Sequence, residues 1–131
     1  MRRAWIAIYA AALLAAGCGS AKLTELQRVK SGQLDVVVLS THDAIKHGQD
    51  SFVIEFLSPD GALVDVGDVR ASATMAMPGM PMFGTFDVKK SATPGRYDVT
   101  SKFDMAGTWR TTIEWPGAPN AGSVTLSSAV Q

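Results

Sequence analysis

The sequence predicts an all-β domain, an immunoglobulin-like β-sandwich of about seven antiparallel strands that follows an N-terminal signal peptide. Three observations support this fold class. Short segments alternate apolar and polar residues, as strands with one buried face do. Glycine and proline turns separate these segments. After the N-terminal apolar run, no stretch of useful length shows helical periodicity.

The first four strands are predicted from local patterns. Leu34–Thr41 is rich in valine, and Ser51–Ser58 carries aromatic or aliphatic residues at alternate positions. The Ser-Pro-Asp-Gly sequence at 58–61 is a strong turn signal. Val69–Ala76 and Met82–Lys90 then each place apolar residues on one face, so both are predicted strands.

The last three strands follow in the same way. A Thr-Pro-Gly turn at 93–95 precedes Arg96–Asp104, and an Ala-Gly turn at 106–107 precedes Thr108–Trp115, which places both of its tryptophans on one face. Ser123–Val130 is the last predicted strand. The polar, small residues of 19–33 predict an irregular tether.

The N-terminus has the pattern of a secretory signal. Arg2 and Arg3 precede an apolar run, Ala4–Ala16, that is shorter than the roughly 20 residues of a transmembrane helix. The chain's one cysteine, Cys18, follows small residues as in a bacterial lipobox, although Ala15 stands where leucine is usual. We therefore expect residues 1–17 to be a lipoprotein signal peptide and 18–33 to be the lipidated cysteine and its tether. The alternative is an ordinary signal cut nearby that leaves Cys18 as a free thiol.

Composition narrows the possible functions. Residues 18–131 suffice for one domain, 34–131 being the predicted sandwich. Charge is balanced, with 12 Lys and Arg against 12 Asp and Glu, and no basic run occurs. Nucleic-acid binding is therefore not expected. No phosphate loop, zinc-protease motif or nucleophile elbow is present, so we do not expect an enzyme.

A methionine cluster is the main functional signal. Four of the chain's six methionines lie within residues 75–82, interrupted by two prolines and a glycine. Soft thioether ligands select copper(I). If successive strands reverse direction, the first, third and fifth connections meet at one end of the sandwich, and they carry both histidines and the other candidate methionine. The predicted ligands of copper(I) are Met77, Met80, Met82, Met105, His42 and His47.

The alternative for these methionines is core packing. Met75 and Met77 continue the apolar stripe of the third strand, and Met105 continues that of the fifth. Met82 lies on the same face of the fourth predicted strand as the apolar residues of that strand. Only Met80, on the Pro-Gly bend, continues the apolar face of no predicted strand, so we expect it to be exposed.

Much of the chain, from about Leu34 to Trp115, resembles the YtkA-like domain, which is related to FixH-like proteins. The resemblance is carried by residues 48–52 leading into a strand and then Asp60-Gly61, by the Met-Pro-Gly-Met sequence at 77–80, and by 94–97 followed by 103–109. It implies a small extracytoplasmic β-sandwich that accompanies copper or heavy-metal transport systems, or cytochrome oxidase assembly.

The sequence thus predicts a lipoprotein anchored to a bacterial membrane and facing the periplasm, which binds or handles copper(I). The expected partners are the membrane itself and a metal transporter or oxidase assembly protein. The alternative is an interaction module without metal, in which the Met/Pro loop is an adaptable apolar patch that docks a membrane partner and supports a transport or oxidase assembly complex.

Overall fold

The computed structural model describes residues 22–117 and 121–131, which form eight β-strands. In chain order they are β1 (Thr24–Ser31), β2 (Leu34–Ser40), β3 (Gly48–Leu57), β4 (Arg70–Met75), β5 (Met82–Lys90), β6 (Arg96–Phe103), β7 (Gly107–Trp115) and β8 (Gly122–Val130). No helix that could cross a membrane occurs in these two ranges. The prediction of an all-β sandwich is confirmed.

All neighbouring strands are antiparallel, in the order β1-β2-β3-β6-β5-β4-β7-β8. Strand β5 joins the two halves, since residues 82–84 pair with β4 and Thr85–Lys90 pair with β6. The change of partner occurs at Gly84, where a Cβ atom would lie only 3.0 Å from the ring of Phe103 and 3.2 Å from Ala73. Strands β1 and β8 also come into contact, so the sheet nearly closes on itself.

Strand β1 lies where the sequence predicted an irregular tether, and it raises the strand count from about seven to eight. Its apolar signal is weak because only Leu26 and Val29 pack against the core. A register shift between Glu25 and Gln27 also breaks the alternation that marks a strand. Its pairing with the buried strand β2 supplies the order that its own sequence does not signal.

The core is built from edge-to-face aromatic contacts. Phe56 lies 5.0 Å from Trp115 and 5.5 Å from Tyr97, measured between ring centroids. Phe103 lies 5.0 Å from Trp109 and 5.4 Å from the ring of Phe86. Each such pair contributes about 0.5–1.5 kcal/mol beyond its buried area. The two groups stabilise opposite ends of the sandwich.

The connections β2–β3, β4–β5 and β6–β7 lie at one end, as the sequence predicted. Gly48, which begins β3, pairs with Phe103, which ends β6. Met75 pairs with Met82 across the β4–β5 connection, and Gly107 pairs with Val130 at the end of β8. We call this end, formed by residues 41–47, 76–81 and 104–106, the His/Met pole. The opposite end, formed by residues 32–33, 58–69, 91–95, 116–117 and 121, is the far pole.

Tyr97 fastens the long β3–β4 connection at the far pole. Its ring is buried, and its hydroxyl donates a hydrogen bond to the main-chain oxygen of Gly67 at 2.7 Å. One carboxylate oxygen of Asp65 lies 3.2 Å from the same hydroxyl. Burial raises the pKa of Tyr97 to about 12, and the charge of Asp65 adds to the rise.

This pKa predicts a loss of stability in strong base. In the unfolded chain the Tyr97 hydroxyl ionises near pH 10, about two units below its pKa in the fold. Because the folded state holds the proton more tightly, the contribution of Tyr97 is complete below pH 10 and falls as the pH rises toward 12. We expect Tyr97→Phe to lower the free energy of unfolding near neutral pH by about 1 kcal/mol, through the lost hydrogen bond.

Urea unfolding measured between neutral pH and pH 12 tests this. The difference in stability between wild type and Tyr97→Phe should shrink as the pH rises above 10. A difference that stays constant over the whole range would contradict this role of the buried hydroxyl.

Candidate metal centre

A tight turn presents two methionines together at the His/Met pole. The main-chain N–H of Met80 donates to the main-chain oxygen of Met77 at 3.2 Å, with Pro78 and Gly79 between them. Proline at the second position and a glycine with φ of +79° at the third match a type II turn. Such a turn holds its first and fourth Cα atoms within about 7 Å. Met77 and Met80 therefore lie at the two ends of one rigid bend.

The methionines divide into exposed and packed groups. Met80 is 71% exposed, Met77 42% and Met105 38%. Met75 is buried, and its strand partner Met82 is half-buried and packs against the core. The expected exposure of Met80 is confirmed, as is the core position of Met75. For Met77 and Met105, the core alternative is wrong.

Met105 is held in place by a buried tryptophan. The indole N–H of Trp109 donates to the main-chain oxygen of Met105 at 3.1 Å, and the Trp109 side chain is fully buried. The next strand starts at Gly107, where a Cβ atom would lie 2.6 Å from the terminal methyl of Met75. The connection that carries Met105 therefore lies against the end of β4.

His47 is oriented so that one ring nitrogen is free to bind a metal. The Nδ1 atom lies 2.9 Å from the main-chain oxygen of Gln131, which can only accept, so Nδ1 carries the proton. The Nε2 lone pair then points away from this bond, which is how a metal-binding imidazole is commonly fixed. The main-chain N–H groups of His47 and Gln131 make two further bonds that tie this connection to the end of β8.

His42 is placed differently. It is exposed at the start of the β2–β3 connection, and its main-chain N–H donates to the Ser40 hydroxyl at 3.1 Å. Hydrogen bonds and strand pairs run from His47 through Gln131 and Val130 to Gly107. Among the described residues, no hydrogen bond or strand pair connects His42 to this series of residues. His47 is thus the imidazole that the fold links to the methionine connections.

The donor set suits a soft metal. Within residues 22–117 and 121–131, no three or more His, Cys, Asp or Glu side chains form a group that could hold a metal ion. The candidate set consists instead of exposed thioethers with one oriented imidazole. Thioether sulfur selects copper(I), and imidazole also suits copper. The chemistry of these donor atoms therefore suits copper(I). The predicted signal peptide and the predicted lipidation site Cys18 lie outside the described residues.

Phe83, which was not among the residues predicted for the site, is 66% exposed and follows the methionine turn closely. It alternates with Met82 and Phe86, both of which pack against the core, so its side chain lies on the outer face of β5. The alternation of inward and outward side chains along this strand is visible in the sequence and could have identified Phe83 as exposed. Exposed aromatic residues beside other apolar side chains often mark an interaction surface.

Comparison with known families gives one match. A family model described as YtkA-like matches residues 28–114. The matched range begins within β1 and ends within β7, so it includes all three connections of the His/Met pole. Comparisons with curated proteins and with solved structures give no match.

Proposed function

The chain belongs to the YtkA-like family, and we propose that it is an extracytoplasmic lipoprotein whose His/Met pole binds copper(I). The observation that carries this proposal is the exposure of Met77, Met80 and Met105 at one end of the fold. Methionine side chains normally fill gaps in cores, so three that face solvent on two adjacent connections need another explanation. His47, with Nε2 available, supplies a fourth donor.

The chemistry of these donors suits metal transfer. A thioether carries no proton, so binding to sulfur does not compete with protonation, whereas an imidazole must be neutral to bind. Copper(I) held mainly by thioethers would therefore stay bound at acidic pH. Because the three thioethers are exposed, a partner could approach the ion directly. Met82, which is half-buried, and His42, which is exposed and, among the described residues, not linked to the methionine connections, complete the predicted ligand set.

The proposal also includes a lipid anchor at Cys18. The basic, apolar and small residues before it support export, and the lipobox-like sequence supports lipidation. Anchoring would hold the domain at a bacterial membrane on its periplasmic side. The partners proposed are a metal transporter or an oxidase assembly protein, as the resemblance to the YtkA-like family implies. The role is binding and transfer, not catalysis.

A second candidate function is an interaction module without metal. It is favoured by the exposure of Phe83, which has no ligand atom and lies near Met77 and Met80 in the sequence. In that case, the pole would dock a membrane partner through apolar contact alone. Replacing a thioether with an aliphatic side chain distinguishes the two functions, because it removes the sulfur and keeps the surface apolar.

Met80→Leu is expected to weaken copper(I) binding at least about tenfold, the lower end of the losses seen even for residues that only support metal ligands. The measurement is anaerobic titration of residues 19–131 with copper(I) against a chromogenic chelator. Met75→Leu is the matched control, because Met75 is a buried methionine at the end of β4, just before the connection that carries Met80. This change should leave the affinity unchanged.

Two results would contradict the copper proposal. One is a wild-type domain that does not compete for copper(I) at micromolar concentrations. The other is an equal loss of affinity in Met80→Leu and Met75→Leu, which would point to a general effect of packing. If copper affinity is absent and Phe83→Ser abolishes capture of a membrane partner, the interaction module is the better account.

A further inference from the structure

We infer that the His/Met pole faces the membrane and contacts lipid headgroups directly. This inference rests on the proposed lipid anchor at Cys18 and adds the orientation of the domain. The first observation is where the chain joins the fold. Thr24, the first residue of β1, pairs with Ser40, the last residue of β2. The β2–β3 connection of the His/Met pole begins directly after Ser40, so the chain reaches the fold at that pole.

The length of chain before β1 limits how far the pole can lie from the membrane. Six residue steps separate Cys18 from Thr24. At about 3.3–3.6 Å per residue, a fully extended chain spans at most about 20 Å over six steps. A lipidated Cys18 would therefore keep the start of β1 within about that distance of the headgroups. The far pole, at the other ends of the strands, cannot be the point of attachment.

The second observation is an apolar surface on the other side of the same pole. Met80, Phe83 and Met77 are 71%, 66% and 42% exposed. In the strand order, β5 stands four places from β1, and the sheet nearly closes because β1 contacts β8. The point where the chain joins β1 and this apolar surface thus lie on opposite sides of the pole. Two attachments on opposite sides would hold the whole pole toward the membrane.

The residues around Phe83 suit the boundary between headgroups and acyl chains. Phe83 pairs with Thr74, which pairs in turn with Arg110 on the outer face. Lys102 lies opposite Thr85 on the next outward position of β5. Neither cation makes an ion pair within the described residues, so both can reach lipid phosphates. Since Asp104 lies nearby in the β6–β7 connection, apolar burial and not net charge is the main attraction.

Among the described residues, the exposed large hydrophobic side chains all lie at or beside the His/Met pole, and none lies at the far pole. Its longest connection, residues 58–69, carries three exposed carboxylates, those of Asp60, Asp65 and Asp68. Hydrogen bonds to the Asp60 and Asp65 carboxylates lower the pKa of each, so both stay charged in mild acid. Asp65 is paired with Lys90 at 3.8 Å, whereas Asp60 and Asp68 make no ion pair among the described residues. The two unpaired carboxylates repel anionic headgroups. Contact through the His/Met pole is therefore favoured, and it places the exposed thioethers where an ion could pass to a protein embedded in the same membrane.

The test uses the full lipidated chain in vesicles of phosphatidylethanolamine and phosphatidylglycerol. A fluorescent label is attached to a single introduced thiol, at Ala76→Cys in the His/Met pole or at Ala92→Cys in the far pole. Both alanines are exposed. Quenching by lipids with a nitroxide on the headgroup reports which pole lies near the membrane. We expect strong quenching at position 76 and little at position 92. In the Ala76→Cys background, Phe83→Ser should reduce quenching, whereas Lys89→Ser at the other end of β5 should not.

Equal quenching at the two positions, or stronger quenching at position 92, would overturn the inference. Absence of quenching at position 76 in a vesicle-bound chain would also overturn it. A chain that does not remain with the vesicles would reject the lipid anchor and the orientation together. The copper(I) titration is made in solution without lipid, so failure of the metal site is read separately from any of these results.

Discussion

Replacing Trp109 with alanine is expected to lower the free energy of unfolding by about 3–5 kcal/mol, the range for removing a large aromatic side chain from a core. Trp109 is fully buried, and its ring packs edge-to-face on Phe103 at 5.0 Å. The change also leaves the main-chain oxygen of Met105 without its indole donor. Domains of this size are stable by about 5–15 kcal/mol, so the variant should be close to unfolding.

Equilibrium unfolding in guanidinium chloride, followed by far-UV circular dichroism so that the signal does not depend on the replaced tryptophan, measures this loss. Thr108→Ala is the matched control, because Thr108 precedes Trp109 on the same strand but is exposed, and its effect should stay within about 0.5 kcal/mol. Trp109→Phe separates packing from hydrogen bonding, since it keeps an aromatic ring and loses the N–H group. A loss below about 1 kcal/mol in Trp109→Ala would mean that this end of the core is loosely packed.

The triple variant Met77→Leu, Met80→Leu and Met105→Leu is expected to abolish measurable copper(I) binding. If each replacement costs at least about tenfold and the losses add, the affinity falls by about a thousandfold. Stability should change little because all three side chains are exposed. Leucine keeps the surface apolar, so binding to a membrane or to an apolar partner should survive.

Chelator competition and thermal unfolding of the same samples test this prediction together. The matched control is Met75→Leu, which alters a buried methionine and leaves every candidate sulfur in place. Retention of wild-type affinity in the triple variant would reject the exposed thioethers as ligands. Loss of affinity in the control but not in the triple variant would indicate that copper(I) binds in the core and not at the exposed methionines.

Most of the fold could be predicted from sequence because seven strands bury one face of alternating apolar residues. β1 could not, since it contributes only Leu26 and Val29 to the core and its register shifts near Glu25. Its order comes from pairing with β2, a tertiary effect that overrides a weak local signal. The change of partner within β5 was equally hidden, because it depends on the close approach of Gly84 to Phe103.

The end of the fold where the candidate site lies could be predicted from sequence. The exposure of Met77 and Met105 and the orientation of His47 could not. Alternating strand direction was enough to place the three connections at one end. The alternative that placed Met77 and Met105 in core stripes is wrong because the period of two holds only within a strand, and β4 ends at Met75 and β6 at Phe103. The bond from His47 to Gln131 joins residues 84 positions apart, and no local pattern reports such a contact.

X-ray absorption spectroscopy at the copper edge, on the domain loaded anaerobically with copper(I), tests the metal site most directly. The account predicts a first coordination shell dominated by sulfur, with at most a small nitrogen contribution from His47, and it predicts that the sulfur signal disappears in the triple leucine variant. A shell made only of nitrogen and oxygen, or a domain that retains no copper(I), would contradict the claim that the exposed methionines of the His/Met pole form a copper site.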